Sequence, residues 1–472
     1  MKWIPTPYML RSVKFLLERG AAALWLEPGM RKSSITLATL KILKTERKGK
    51  FKTLIIAPLR VCYLVWPAER EKWDDFHGLK MEVLHGPKKE AALDRDADIY
   101  VINPDGLQWL FAALYKRDRW PFDCLVIDES TAFKRTNTQR FKNLKVHLQK
   151  FSRRYILTGT PSPNGLLDLF GQIYVLDLGN ALGRYITSYR RDFFSPTGYG
   201  GYTYVLQKGA EKKIYERVRP LVLRLEAKDY IDLPPIIGLN PPAVVKVVLP
   251  PKARKIYDNM EEHLIALVND DVVKAVNVAV ATMKCRQIAN GGIYREAAGG
   301  PWSLIHDEKT NALEELLEEF NGKPALVAVD FIHDIERLRK RFGKDTPLLG
   351  GSSAAELKES ARIMAAFNAG DLPLVLANPQ SAGHGLNLQG GKAVVFHSLT
   401  YNLETYHQFI KRIWRSGQKD TVMLYHICAK ETVDQAVMAA LKSKDKTQNA
   451  LLAALKEYSA AKTQPKRRNT IK

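Results

Sequence analysis

Lys32 and Ser33, Asp128 and Glu129, and the set Gln408, Arg412 and Arg415 are the residues of this 472-residue chain whose types and spacing could do chemistry together. In LWLEPGMRKSSITLATL (Leu24–Leu40) an apolar run meets a loop holding Gly29 and Arg31, and Lys32-Ser33 then opens a helical pattern. A strand feeding a helix N-terminus presents free backbone N–H groups and the positive end of the helix dipole, which suits phosphate. Lys32 would reach the β- and γ-phosphates, and the Ser33 hydroxyl would ligate Mg²⁺. The spacing departs from the general G-x-x-x-x-G-K-[ST] loop at Leu26 and Arg31, so the stretch alone reads equally as a Ser-capped helix.

CLVIDEST (Cys124–Thr131) favours the first reading. An apolar strand ending in Asp128-Glu129 puts one carboxylate where Mg²⁺ needs a ligand and a second where water can be oriented or deprotonated. The pieces make joint sense as hydrolysis of ATP. Gln408, Arg412 and Arg415 in TYHQFIKRIWRSGQ are spaced i, i+4, i+7, which predicts one helix face pointing outward while Phe409, Ile413 and Trp414 pack. That face is either merely solvated or, in a two-lobe protein, able to stabilise charge on the phosphoryl group; arginine fingers are worth about 10³–10⁵ in rate.

These side chains need rigid supports. Strand-length runs rich in β-branched residues recur in the first half: FKTLIIAP (51–58), DADIYVIN (96–103), FDCLVIDE (122–129) and RRYILTGTP (153–161). A second series follows at PALVAVDF (324–331), LPLVLANP (372–379), GKAVVFHS (391–398) and TVMLYHIC (421–428). Such runs alternating with helices predict two parallel sheets covered on both faces, an α/β protein whose functional loops lie at the carboxyl ends of the strands. The expected organisation is a first lobe over 1–238 with an inserted protrusion at about 165–220, and a second lobe over 239–460 led by a helical segment at 251–300. A basic tail, 461–472, would follow. DEKTNALEELLEEF (307–320) predicts a solvated helix with Leu313, Leu316 and Leu317 inward.

The chain carries 72 Lys and Arg against 50 Asp and Glu, a formal charge of +22. That excess implies a polyanionic partner, nucleic acid before an anionic membrane. Its four cysteines are far apart, with no C-x-x-C pair, which excludes a zinc ribbon and argues against a disulfide framework. No apolar run approaches the roughly 18 residues of a membrane span, and MKWIPTPYML lacks a signal-peptide core. The composition thus predicts a soluble protein of a reducing compartment.

The order of motifs resembles the superfamily-two helicases, specifically the Swi/Snf-like double-stranded DNA translocases, and among them the short phage- and prophage-encoded members. PYMLRSVKFLL, EPGMRKS, IIAPLRV with WPAEREKW, DEST, LTGTPSPN, LRLEAKDYIDLPP, CRQIANGG, SAGHGLNLQ and QFIKRIWRSGQ follow the family's sequence of motifs through nearly the whole chain. The resemblance implies two tandem RecA-like lobes, and ATP and Mg²⁺ as cofactors. Lys32, Asp128, Glu129, Arg412 and Arg415 would be catalytic; Tyr8, Gly29, Arg31, Lys32, Ser33 and Gln408 would hold nucleotide; Ser33 and Asp128 would hold the metal. It further implies that Pro58 and Arg60 lie beside a DNA strand, and that Thr158 and Thr160 link nucleotide state to lobe movement. Gly383, His384 and Gly385 would form a loop near DNA and the lobe interface.

Three positions depart from the family pattern. Met9 stands where the adenine-proximal segment usually has Gln, and it cannot make that amide's paired hydrogen bonds to adenine. The acidic box reads DEST rather than DEAD or DEAH, and Arg31 replaces the Gly before Lys32. Lys32, Ser33, Asp128, Glu129, Arg412 and Arg415 all remain, so ATPase activity is expected. The leading expectation is a DNA-stimulated ATPase moving on duplex DNA without strong sequence preference, acting with a protein partner of unknown kind or alone. The alternatives are a strand-separating DNA or RNA helicase and a catalytically degenerate nucleic-acid-binding scaffold.

Overall fold

The computed structural model describes all residues except 160, 163–164, 198–202, 264, 269–270, 275–277, 297–298, 352, 383–385, 401 and 443–472. The chain divides into two compact units, Met1–Asp232 and Leu233–Lys472.

In the first unit, β1 (Ala21–Leu26), β2 (Thr53–Ile56), β3 (Met81–Val83), β4 (Ile99–Ile102), β5 (Cys124–Asp128), β6 (Arg153–Thr158) and β9 (Val222–Leu225) form one sheet. Its order is β3-β4-β2-β5-β6-β1-β9, and every pairing is parallel. β2, β4 and β5 are buried along their whole length, which is why they read as unbroken apolar runs rather than alternating ones. Within them the two-residue period still sorts the faces. Leu54, Ile56, Leu125 and Ile127 enter one core, while Ile55, Cys124 and Val126 enter the other.

The segment the sequence sets apart at 165–220 contributes to the first of these cores. Leu169, Phe170, Ile173, Tyr189, Ile214 and Val218 are buried in the same cluster as Ile127. β7 (Phe194–Thr197) and β8 (Thr203–Leu206) form an antiparallel pair within it.

The second sheet is built from β10 (Ile236–Ile237), β11 (Ala243–Val247), β16 (Ala325–Ala328), β17 (Leu348–Leu349), β18 (Leu374–Ala377), β19 (Ala393–Phe396) and β20 (Val422–Ala429). Its order is β10-β20-β19-β16-β18-β17, with β11 also on β20, again all parallel. Because β10 pairs with β20, the Pro-rich connection belongs to the second unit from Leu233, whereas the sequence reading carried the first lobe to 238. The stretch 251–290 is also not one helical run. β12 (Ile265–Val268) and β13 (Asp271–Lys274) pair between the helices Pro251–His263 and Val278–Asn290, and β14 (Gly292–Glu296) with β15 (Gly299–Leu304) follows as a second hairpin. The helix Glu308–Phe320 turns Leu313 and Leu316 inward as its spacing predicts, with Leu317 half-buried. The tail 461–472 lies outside the described residues.

Candidate nucleotide-binding site

Strand register builds the site in the first unit. β6 lies between β1 and β5, with Trp25 opposite Thr158 on one side and Asp128 opposite Leu157 on the other. The loop after β1 and the carboxylates after β5 therefore leave the sheet at one edge, a single strand apart. This is the carboxyl end of the strands, where ligands of open α/β sheets bind.

The loop turns through two left-handed residues, Gly29 at φ 91° and Arg31 at φ 53°. Arg31 is the N-cap of the helix Lys32–Glu46 and caps no N–H with its side chain. The Ser-capped alternative is thus not what forms. Ser34 Oγ donates backward to Arg31 O at 3.1 Å, and Thr36 Oγ1 donates to Lys32 O at 2.9 Å. The helix is left with an uncapped N-terminus, the kind of end that takes an anion. Lys32 Nζ donates to Leu26 O at 2.8 Å, which holds the ammonium group against the loop.

Two contacts brace the loop from behind. Glu27 Oε2 accepts from Ala227 N at 3.0 Å, tying it to the residues after β9. Gly159 packs so closely that a Cβ there would stand 2.8 Å from Pro28 Cδ and 3.3 Å from Leu26 O, which only Gly permits.

Asp128 is 8% exposed at the end of β5. Burial first, and then the charge of Glu129, push its carboxyl up to about 7, against the pull of Lys32. Glu129 N donates to Asp128 Oδ1 at 3.1 Å, and Glu129 itself is left-handed at φ 53°, ψ 60°. A non-Gly residue held there carries backbone strain, of the kind that clusters at functional sites. Two adjacent carboxylates, one buried, with the Ser33 hydroxyl in the first turn of the neighbouring helix make a hard-oxygen donor set. That set fits Mg²⁺.

Tyr8 is buried, with its ring centroid 5.3 Å from that of Tyr230. Burial raises its phenol, and the Arg31 charge opposes the rise. Met9 is buried beside it at 1% exposure. Pro58 caps the short helix Leu59–Leu64 after β2, and Arg60 is 7% exposed rather than open on the surface. Thr158 is fully buried at the end of β6, while Thr160 lies outside the described residues, as do Gly383, His384 and Gly385.

In the second unit the expected helix face is corrected. The helix Leu403–Ile410 holds Gln408 but ends before Arg412 and Arg415. Arg412 N bonds to Phe409 O and Ile413 N to Ile410 O, three residues back, so the last turn tightens and the 3.6-residue spacing lapses. Arg412 does not point outward; it is 5% exposed, with Nε donating to Gln408 O at 3.1 Å. Tertiary contacts still bring the two guanidinium groups together. Arg412 Nη1 and Arg415 Nη1 both donate to Leu386 O, at 3.3 and 3.2 Å. Phe409 and Ile413 are fully buried and Trp414 half-buried, as their apolar character predicts.

Nearby motifs form a buried polar cluster in this unit. Lys309, fully buried, pairs with Asp434 at 2.7 Å and donates to Asn290 Oδ1 at 2.7 Å. Asn290 Nδ2 and Ser398 Oγ both donate to Asp334 Oδ2, at 2.9 and 2.7 Å. Sequence reasoning also missed Gln172, which is buried and bonded to Ser130 of the acidic box. No local pattern marks its bonds to Pro161 and Ser130, which lie 11 and 42 residues away.

Comparison with known proteins gives the family. The SNF2-related domain model matches residues 8–291, and the helicase conserved C-terminal domain model matches 308–417. A putative protein p41 of Acyrthosiphon pisum secondary endosymbiont phage 1 is 35% identical over 96% of this chain and 98% of its own. An uncharacterized ATP-dependent helicase of Mycoplasma pneumoniae is 25% identical over 82% of this chain, which spans only 36% of that protein's length. Among solved structures, the SWI2/SNF2 ATPase core of Sulfolobus solfataricus in complex with dsDNA aligns over 98% of this chain and 96% of its own, at 19% identity and a TM-score of 0.45. The chain belongs to the SNF2-related family, and is a Swi/Snf-like superfamily-two ATPase of the phage type that hydrolyses ATP.

Proposed function

We propose that this ATPase is a motor on duplex DNA, stimulated by that DNA and moving along it without obligatory strand separation. The observation that carries the nucleotide half is the shared edge of β1, β6 and β5, which sets an uncapped helix N-terminus and Lys32 one strand from Asp128 and Glu129. The DNA half rests on the formal charge of +22 and on family membership.

In this reading the N–H groups opening the helix Lys32–Glu46, with Lys32, take the β- and γ-phosphates. Ser33 and Asp128 would hold Mg²⁺, which neutralises phosphate charge when bound. Glu129, held in a left-handed backbone conformation, orients water for attack, and Arg412 and Arg415 take the charge-stabilising role. Gln408, Gly29, Arg31 and Tyr8 complete the nucleotide contacts. Pro58, Arg60, Thr158 and Thr160 with Gly383, His384 and Gly385 are assigned to DNA contact and coupling. DNA would be held by its phosphates, giving little sequence preference. Among the described residues no helix is long and apolar enough to cross a membrane.

The test is displacement of a third strand from a triplex by wild type and by Lys32→Ala with ATP present. Displacement by the wild type alone supports movement on duplex. Release of a labelled strand from a fork, with the triplex left intact, would favour a strand-separating helicase instead.

A further inference from the structure

Two hydrogen bonds of Gln172 join pieces of the site, and a third ties it to the start of its own helix. It is 1% exposed on the helix Leu169–Asp177. The fully buried Ser130 hydroxyl, one residue after Glu129, donates to Gln172 Oε1 at 2.6 Å. Gln172 Nε2 donates to Pro161 O at 2.6 Å and to Asp168 O at 2.8 Å. The amide's orientation is fixed, since a flipped group would set its oxygen against two carbonyls. One side chain thus bridges the acidic box and the LTGTPSPN segment.

The contact is reinforced on both sides. Lys134 Nζ pairs with Asp168 Oδ2 at 3.2 Å. Gly171 lies so close to the chain after the acidic box that a Cβ would overlap Phe133 O and stand 2.8 Å from Lys134 O. At its other end the bridged segment reaches the phosphate loop through Gly159 against Pro28. Contacts within one unit therefore link Pro28 of the phosphate loop to Gly159, and Pro161 through Gln172 to Ser130 of the acidic box.

We propose that Gln172 is a positioning residue that transmits the nucleotide state of the acidic box to Pro161 and Asp168. Ser130 is the lever, because it follows the strained Glu129 directly, and a change in Glu129 turns the hydroxyl that Gln172 holds. The proposal rests on the reading that Glu129 works on bound nucleotide. Transmission through a buried hydrogen-bonded chain is a claim about coupling, so the experiment must measure coupling.

Hydrogen exchange of peptides covering 158–172 is compared with and without a non-hydrolysable ATP analogue and Mg²⁺. Wild type should show a nucleotide-dependent change there. Gln172→Met, which keeps the side chain's bulk, should bind the analogue within about threefold yet lose more than half of the change. Ser130→Ala breaks the same bond from the other end and should lose a similar share, and the double variant should lose no more than either single one. Should Gln172→Met fail to fold, Ser130→Ala carries the test. A wild-type exchange response retained in folded variants overturns the relay and leaves the nucleotide site standing. A wild type that does not bind the analogue overturns both. A purely structural role would lower the unfolding temperature without removing the response.

Discussion

The Arg31 guanidinium stands 5.6 Å from the centre of the Trp73 ring, while the Arg31 backbone occupies a left-handed position. The residue that replaces the usual loop glycine thus keeps glycine's conformation, and its exposed side chain rests on an indole. A left-handed non-Gly residue costs roughly 1–2 kcal/mol, and a solvent-facing cation–π contact returns about 0.5–1 kcal/mol.

Arg31→Gly should therefore change unfolding free energy by less than about 1 kcal/mol, because relieved strain and the lost contact nearly offset. ATP turnover should fall about threefold or more, because Arg31 is among the proposed nucleotide contacts. Unchanged turnover would remove it from them, and a gain would mark it as a brake.

Gly171→Ala should destabilise the first unit by about 1–3 kcal/mol, since the added methyl meets backbone rather than a flexible side chain. Urea denaturation measures it. A change below 0.5 kcal/mol, on the scale of an ordinary surface substitution, would mean the helix and the acidic-box segment are not in the contact described.

The first two sites show what the sequence could and could not reveal. The sheet strands were legible because parallel strands buried on both faces are uninterrupted runs of Val, Ile and Leu, as in CLVID and ALVA. The phosphate loop and acidic pair were legible as short strings at strand ends. Arg412 and Arg415 were legible as a pair but not in their setting, since the helix ends at Ile410 through tertiary contacts such as Leu388 N to Arg412 O. The hairpin of β12 and β13 hides in IALVNDDVVK, where an Asn-Asp pair between two β-branched runs was the available signal. Gln172 had none, because its role arises only when two distant segments pack.

Lys309→Met should cost the second unit about 3–5 kcal/mol. It leaves Asp434 buried without its cation and Asn290 Oδ1 without its donor. Denaturant unfolding gives the value, and replacing Asp434 as well should recover part of the loss.

Stability should also fall in mild acid. Burial pushes His306 down to about 4 and His397 down to about 3, with Lys309 and Arg337 adding to both shifts. Unfolded histidines bind a proton near 6.5, so between about 6.5 and 4 the unfolded chain holds more protons than the folded one. The stabilisation is full above pH 6.5 and is lost as pH falls through that window, by about 5 kcal/mol for the two histidines together at pH 4.5. Urea midpoints at pH 7.5, 6.5, 5.5 and 4.5 test this, and a flat series would contradict the burial of neutral imidazoles.

The central claim, that this ATPase is driven by duplex DNA, is tested most directly by steady-state ATP turnover with and without a linear duplex, in parallel with single-stranded DNA and RNA. The account predicts that duplex raises turnover at least tenfold, more than either alternative does. It predicts that the stimulation fades as salt rises from 50 to 200 mM, where six phosphate contacts would lose about 10³ in affinity, and that Lys32→Ala removes turnover altogether. Turnover indifferent to duplex DNA, or undiminished in Lys32→Ala, would contradict it.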